Sequence, residues 1–318
     1  MEIPPGAGIV GIKELLAQAR IVHDDPRFVL LVKLTGVARQ LKAGEYAFAP
    51  GMTPRAVLAL LLSGRVVQHA ITLAEGLTLA QAADVVSSGG WGSREDFLRL
   101  AADSELLGRF GVNQATAEGY LFPDTYFFPK RTPLRTVITA MLRRMDRVLA
   151  EEGVGNGGTT PSSPPPPSVP DNETVPAVQA VAMTRHEVLT LASIIEKETA
   201  LPGERPLVAR VFLNRLRLGM KLQADPTVIY GLAKFGVPLT KADLETETPY
   251  NTYTNRGLPV GPICSPGRTA IAAVIHPSLE DYTYFVAQGD GTHYFSKNLD
   301  EHNSAVARYR KKRLSNKE

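Results

Sequence analysis

The stretch Pro161-Ser-Ser-Pro-Pro-Pro-Pro-Ser168, with Gly153-Val-Gly-Asn-Gly-Gly158 before it, constrains this chain most, because it can enter neither a helix nor a sheet core. Proline lacks the backbone donor and fixes φ, while glycine loses the most freedom on ordering. Such a composition favours extended, solvated backbone. Residues 153–177 are therefore expected to form a flexible insert. Just upstream, Val137, Ile138, Met141, Leu142 and Met145 have helical spacing. The insert thus interrupts folded structure rather than ending it, and a chain of 318 residues leaves room for two compact domains or one with an appendage.

Hydrophobic residues at 44% and charged residues at 21% exclude global disorder. A net charge of +3 is too small to argue for nucleic acid, and no such partner is expected. The basic cluster Arg308, Arg310, Lys311, Lys312, Arg313 reads as a solvated tail. The single cysteine, Cys264, cannot form an internal disulfide. No run approaches the roughly 20 apolar residues of a membrane span. Met1-Glu-Ile-Pro-Pro-Gly6 carries an acid and two prolines where a signal peptide would be basic and then apolar.

The first 130 residues contain a weak internal repeat. Ile3 precedes an amphipathic stretch (Ile12, Leu15, Leu16, Ala19), and Phe28 opens a second one 25 residues after Ile3. Ile71 precedes Leu79, Ala82, Ala83 and Val86, and Phe97 follows Ile71 by 26 residues. Each copy reads as a strand, a turn and two short helices. After the insert, Thr184-Arg-His-Glu187 is a capping box opening a helix, and a second helix spans Glu204 to about Leu218 with Gly219 as its stop. Asp225-Pro226 resembles an N-cap with proline at the first helical position. Tyr282 to Val286 reads as a strand, and Gln288-Gly-Asp-Gly291 as a hairpin turn. Without βαβ regularity, the fold class is α+β.

On the helix from 185 to 199, Leu191, Ile194, Ile195 and Glu198 fall within an arc of roughly 100°. Glu196 lies about 160° from Glu198 on the same wheel. Glu198 therefore stands in line with an apolar stripe, where desolvation would raise its pKa and suit a proton donor. The alternative is a helix-end glutamate that reaches solvent or pairs with Arg205 or Arg210, and spacing alone does not choose. The histidines are scattered, and Cys264, His276, His293 and His302 match no zinc template. There is no Gly-x-Ser-x-Gly elbow. Asp225 is more readily a cap than a functional acid. Tyr250, Asn251 and Tyr253 could stack on and hydrogen-bond to sugars, or serve as packing residues in a Gly/Pro-rich turn.

Longer runs carry a resemblance. Ala192-Ser-Ile-Ile-Glu-Lys-Glu-Thr199, Val211-Phe-Leu-Asn-Arg-Leu216 and Met220-Lys-Leu-Gln-Ala-Asp-Pro-Thr-Val-Ile-Tyr-Gly231 resemble the endolytic murein transglycosylase (MltG, or YceG-like) family. So do Tyr250-Asn-Thr-Tyr253, Gly257-Leu-Pro-Val-Gly-Pro-Ile263, His276-Pro277, Tyr284-Phe-Val-Ala287 and His293, and upstream Ala43-Gly-Glu-Tyr46 and Glu118-Gly-Tyr-Leu-Phe-Pro-Asp-Thr-Tyr126. The likeness spans almost everything outside 153–177. It implies a LysM-like N-terminal region at 1–70 and a YceG-like catalytic domain at 71–314. It also implies cleavage of the β-1,4 bond between N-acetylmuramic acid and N-acetylglucosamine within peptidoglycan strands. The resemblance puts the catalytic glutamate in Glu196-Lys-Glu-Thr199, and the wheel carries the acid/base role to Glu198, with Glu196 in reserve; Asn214, Gln223, Asp225, Tyr250, Asn251 and Tyr253 are the positions expected to bind sugar. No metal and no cofactor is expected.

One carboxyl would suffice if the muramic acid's own C6 hydroxyl were the nucleophile, leaving a 1,6-anhydro end. A lysozyme-like hydrolase and a non-catalytic peptidoglycan-binding scaffold are the rivals. Family members usually begin with a cytoplasmic stretch and one membrane span, and Met1-Glu-Ile-Pro-Pro-Gly6 matches just after it. The native protein is thus expected at the inner membrane with its catalytic domain facing the periplasm, near cell-wall synthesis proteins. The insert at 153–177 is longer than the family pattern suggests.

Overall fold

The computed structural model describes residues 1–155 and 183–315. These form two compact units, one made of Met1–Thr72, Val86–Ser93 and Thr125–Val137, the other of Leu73–Val85, Arg94–Asp124 and the chain from Ile138 onward. The expected boundary at 70/71 falls near the end of the first of these segments. Among the described residues, thirteen α-helices and three two-stranded antiparallel sheets make an α+β architecture.

The chain opens with β1 (Glu2–Ile3), α1 (Ile9–Gln18), α2 (Arg27–Thr35), β2 (Gly44–Glu45), α3 (Pro54–Ser63) and β3 (His69–Thr72). β1 and β2 pair with Ile3 opposite Gly44. Ile3, Ile12, Leu16, Phe28, Val32, Tyr46, Val57 and Leu61 form the core of the first unit. Tyr46 satisfies its buried hydroxyl by donating to the Lys42 carbonyl at 2.7 Å, as a buried phenol must. α3 starts on Thr53, whose hydroxyl accepts the Ala56 N–H, and ends on Gly64 in the left-handed region.

The chain continues with α4 (Leu79–Ser88), α5 (Arg94–Leu100), α6 (Ser104–Gly108), β4 (Thr125–Phe128) and α7 (Leu134–Glu151). β4 pairs antiparallel with β3, Ile71 opposite Tyr126. The repeat is visible in this order: each copy runs strand, helix, helix, and a later strand returns to pair with the first. The residues that mark it are all buried, Ile3 and Ile71 at 2% and 3% exposure and Phe28 and Phe97 at 1% and 0%.

Of the expected insert, residues 156–177 lie outside the described residues. Its first residues pack against the fold. Gly153 (φ +79°) and Val154 close α7, the Val154 N–H bonding the Leu149 carbonyl at 2.8 Å, and Val154 is buried. The apolar side chain after the glycine is part of the helix stop.

The remaining elements are α8 (Arg185–Glu198), α9 (Arg205–Arg217), α10 (Asp225–Gly231), α11 (Lys241–Glu245), α12 (Arg268–Ile275), β5 (Tyr284–Ala287), β6 (His293–Ser296) and α13 (Leu299–Ser315). α8 starts on the expected capping box, with Thr184 and Glu187 bonding reciprocally. It packs against α9, α10 and α12. Val188 through Ile195 are all buried, so α8 is a central helix rather than one with a single apolar stripe. Arg308 and Arg310 of the basic cluster are exposed on α13, which packs on the β5–β6 hairpin, with the Arg308 guanidinium 5.1 Å from the Tyr294 ring. No helix among the described residues is long and apolar enough to cross a membrane.

Candidate active site

The last turn of α8 carries two carboxylates in opposite circumstances. The Glu196 side chain is 6% exposed and pairs at 2.7 Å with Arg205, itself 6% exposed. Its second oxygen accepts the Gly267 N–H at 2.9 Å, at the start of α12. The Glu75 carboxylate lies against Gly267, where a Cβ would displace it. Arg205 also reaches Thr269 and, at 3.7 Å, Glu75. Burial still pushes the Glu196 pKa up, against the pull of the Gly267 N–H and Arg205. The ion pair once conceivable for Glu198 therefore belongs to Glu196. Arg210, the other candidate, spends its Nε on the Ser278 carbonyl.

Glu198 is half-buried and accepts no hydrogen bond from any described residue. Burial pushes its carboxyl up to about 8, the negative charge of Asp225 adds to the rise, and Arg215 opposes it. The turn after it is pinned: Thr199 is buried and bonds Glu204 at 3.2 Å, and Glu204 also holds His293 through Nδ1 at 2.7 Å and the backbone N–H at 2.8 Å. His293, at the start of β6, thus fixes the chain just past Glu198.

Asp225 does not cap α10. The N-cap is Ala224, and the Asp225 side chain makes no cap bond. Instead the Tyr253 hydroxyl donates to Asp225 at 2.5 Å. Burial, then that bond, drive the Tyr253 pKa up, so the phenol stays protonated. Arg215 completes the group. It is buried, donates to the carbonyls of Thr283 (2.8 Å) and Leu222 (2.7 Å), and lies 5.3 Å from the Tyr284 ring. Glu198, Asp225, Tyr253 and Arg215 all interact electrostatically.

The other expected sugar contacts divide. Gln223 is exposed, next to this group, and holds φ +51°, a conformation that non-glycine residues adopt at some cost and that clusters at functional sites. Asn214 and Asn251 turn their amides to the backbone. Asn214 is buried, its amide donating to the Tyr282 carbonyl at 2.8 Å. Asn251 is fully buried, donating to the Leu244 and Thr246 carbonyls and accepting the Tyr253 N–H at 2.8 Å. Asparagine in a turn satisfies backbone more readily than it meets ligand. Asn251 acts at one remove, by holding Tyr253. Tyr250 packs edge-on to Tyr230, ring centroids 4.7 Å apart.

Two residues escaped the sequence reading. Arg215 sits beside Asn214 in the Val211–Leu216 run, and the run itself was the signal. Glu118 is buried, and desolvation raises its carboxyl to about 7 against the bonds from the Leu79 and Gly119 N–H groups and the Tyr230 hydroxyl.

The YceG-like family matches residues 1–308 of the chain. An endolytic murein transglycosylase from Bacillus subtilis is 31% identical over 97% of this chain and 84% of its own length. One from Streptococcus pneumoniae serotype 2 is 29% identical over 98% of the chain, which spans only 58% of that relative. The crystal structure of a yceG-like protein from Listeria monocytogenes superposes with a TM-score of 0.62 at 32% identity, covering 95% of this chain and 97% of that one. With a family match over residues 1–308 and a relative 31% identical over 97% of the chain, the chain belongs to the YceG-like family.

Proposed function

We propose that the chain is an endolytic peptidoglycan lytic transglycosylase whose general acid/base is Glu198. The observation that carries this is a half-buried carboxyl with no hydrogen-bond partner, held protonated at neutral pH beside charged and phenolic groups. The protonated Glu198 donates to the glycosidic oxygen as the C1–O bond breaks, its electron pair leaving with that oxygen. The carboxylate then accepts the proton of the muramic C6 hydroxyl while that oxygen bonds C1. No water is consumed, and Glu198 ends protonated. Asp225 keeps Glu198 protonated and faces the positive charge that develops at C1. Gln223 and Tyr253 are the polar groups proposed to orient sugar.

Asp225 is also the observation that favours a hydrolase, since ordinary glycosidases use two carboxyls. Mass analysis of products from purified glycan decides: 1,6-anhydro ends are expected throughout, and reducing ends would make the protein lysozyme-like. Residues 1–70 are proposed as a LysM-like glycan-binding region, supported by the order of β1, α1, α2 and β2 with paired outer strands. Because such a substrate lies outside the cytoplasm, the native protein is proposed to work tethered at the inner membrane facing the wall, near cell-wall synthesis proteins.

A pH profile tests the acid directly. Glu198 is active protonated, so kcat is expected to fall as pH rises through about 8. Asp225→Asn removes a charge that disfavours ionisation of Glu198, so its alkaline limb should move to lower pH. A limb unmoved in Asp225→Asn would show that Asp225 does not bear on the acid.

A further inference from the structure

Glu118 is a buried carboxyl that the proposed reaction does not use. Burying a carboxylate without a cation is costly, and its partners are all neutral donors. The Leu79 N–H at the start of α4 reaches both oxygens at 3.0 Å, and the Tyr230 hydroxyl donates at 2.9 Å. The titratable groups that bear on it are Tyr230, Tyr250 and Cys264. The Tyr230 bond to this enclosed carboxyl grips one end of a very short helix.

That helix is α10, seven residues from Asp225 to Gly231. Tyr230 ties its last turn to Glu118, and Tyr250 packs across the Tyr230 ring. Gly231 lets the clamp close, since a Cβ there would meet Thr248 Oγ1 at 2.6 Å and Tyr250 Cβ at 3.1 Å. At the opposite end Tyr253 holds the Asp225 carboxylate, and the Thr252 hydroxyl meets the Ala224 N–H at 3.0 Å and the Thr227 hydroxyl at 2.9 Å, so α10 is fixed at both ends. Asp225 lies five residues before Tyr230, about 7–8 Å along a rigid helix.

We infer that Glu118 and Tyr230 are positioning residues: their bond sets the axial position of α10 and so presses Asp225 toward Glu198. The inference rests on the reading of Glu198 as the acid. If the bond is lost, α10 settles elsewhere, Asp225 bears less on Glu198, and the acid loses its proton at lower pH.

The test compares the alkaline limb of kcat, on purified glycan strands, in wild type, Tyr230→Phe, Glu118→Gln, Asp225→Asn and the Tyr230→Phe/Asp225→Asn double variant. Tyr230→Phe deletes one hydroxyl and keeps the ring, so the fold is expected to stand. It should lower kcat by about tenfold to a hundredfold, the cost of a misplacement of about 1 Å, with KM within about twofold. Its limb should move in the same direction as that of Asp225→Asn. Glu118→Gln should do the same more weakly, since an amide oxygen still accepts the phenol. In the double variant the limb should move no further than in Asp225→Asn alone, because both changes act through one charge. A limb that moves in Asp225→Asn but not in Tyr230→Phe would overturn the strut alone. So would equal, additive shifts in the double variant. A limb that stays fixed in Asp225→Asn would overturn the electrostatic reading of Glu198 and the strut with it.

Discussion

Glu198→Gln is expected to lower glycan cleavage by about 10²–10⁴-fold, the usual contribution of general acid catalysis. Glutamine matches the side chain in size and cannot donate to the leaving oxygen. Retention of more than about a hundredth of wild-type activity would take the role from Glu198. The same variant should show that its fold is intact, and in a specific way. The folded-state pKa of Glu198, about 8, lies above the ordinary 4.5. Its protonated form therefore suits the fold fully below pH 4.5, and that contribution fades as pH rises through 8. Glutamine has no such dependence. Melting temperatures of variant and wild type should coincide near pH 4 and separate by about 5 °C or more at pH 8.5. The variant should be the more stable one. A variant melting below wild type at pH 8.5 would mean that the carboxylate has a partner.

Arg205→Ala is expected to destabilise the protein by about 3–5 kcal/mol, because it strands a buried carboxyl, Glu196, with only the Gly267 N–H. Urea unfolding followed by circular dichroism reads this directly. Glu196→Gln should cost less, since its amide can still accept that N–H. The folded Glu196→Gln enzyme should keep activity within about tenfold of wild type. A loss as deep as that of Glu198→Gln would exchange the roles of the two glutamates.

That pair shows where sequence reading stopped. α8 and α9 were legible because caps and spacing agree, and the β5–β6 hairpin because its turn residues are distinctive. The wheel set Glu198 on an apolar stripe and Glu196 away from it, but it presumes one buried face, and α8 is buried nearly all round, so Glu196 is enclosed too. Arg205 pairs with Glu196 and not with Glu198, and its approach depends on how α9 packs. Asp225 looked like a cap because proline follows it, yet its partner, Tyr253, lies 28 residues on. Glu118 and Tyr230 are 112 residues apart. Neither contact leaves a trace in local spacing. Asn214 and Asn251 were chosen for their chemistry, which the buried backbone had already claimed.

The ends of α7 and α8 have a consequence for how such proteins diversify. α7 stops on Gly153 and Val154, and its final turn is anchored to α12, where Arg268 holds Glu151 and, at 2.8 Å, Glu152. α8 begins on hydrogen bonds between Thr184 and Glu187. Each helix thus carries its own terminator or initiator, as an exon carries its own splice signals. The chain between them can change in length and leave the signals that end α7 and start α8 in place. It is where an engineer would graft a second module or open new termini by circular permutation.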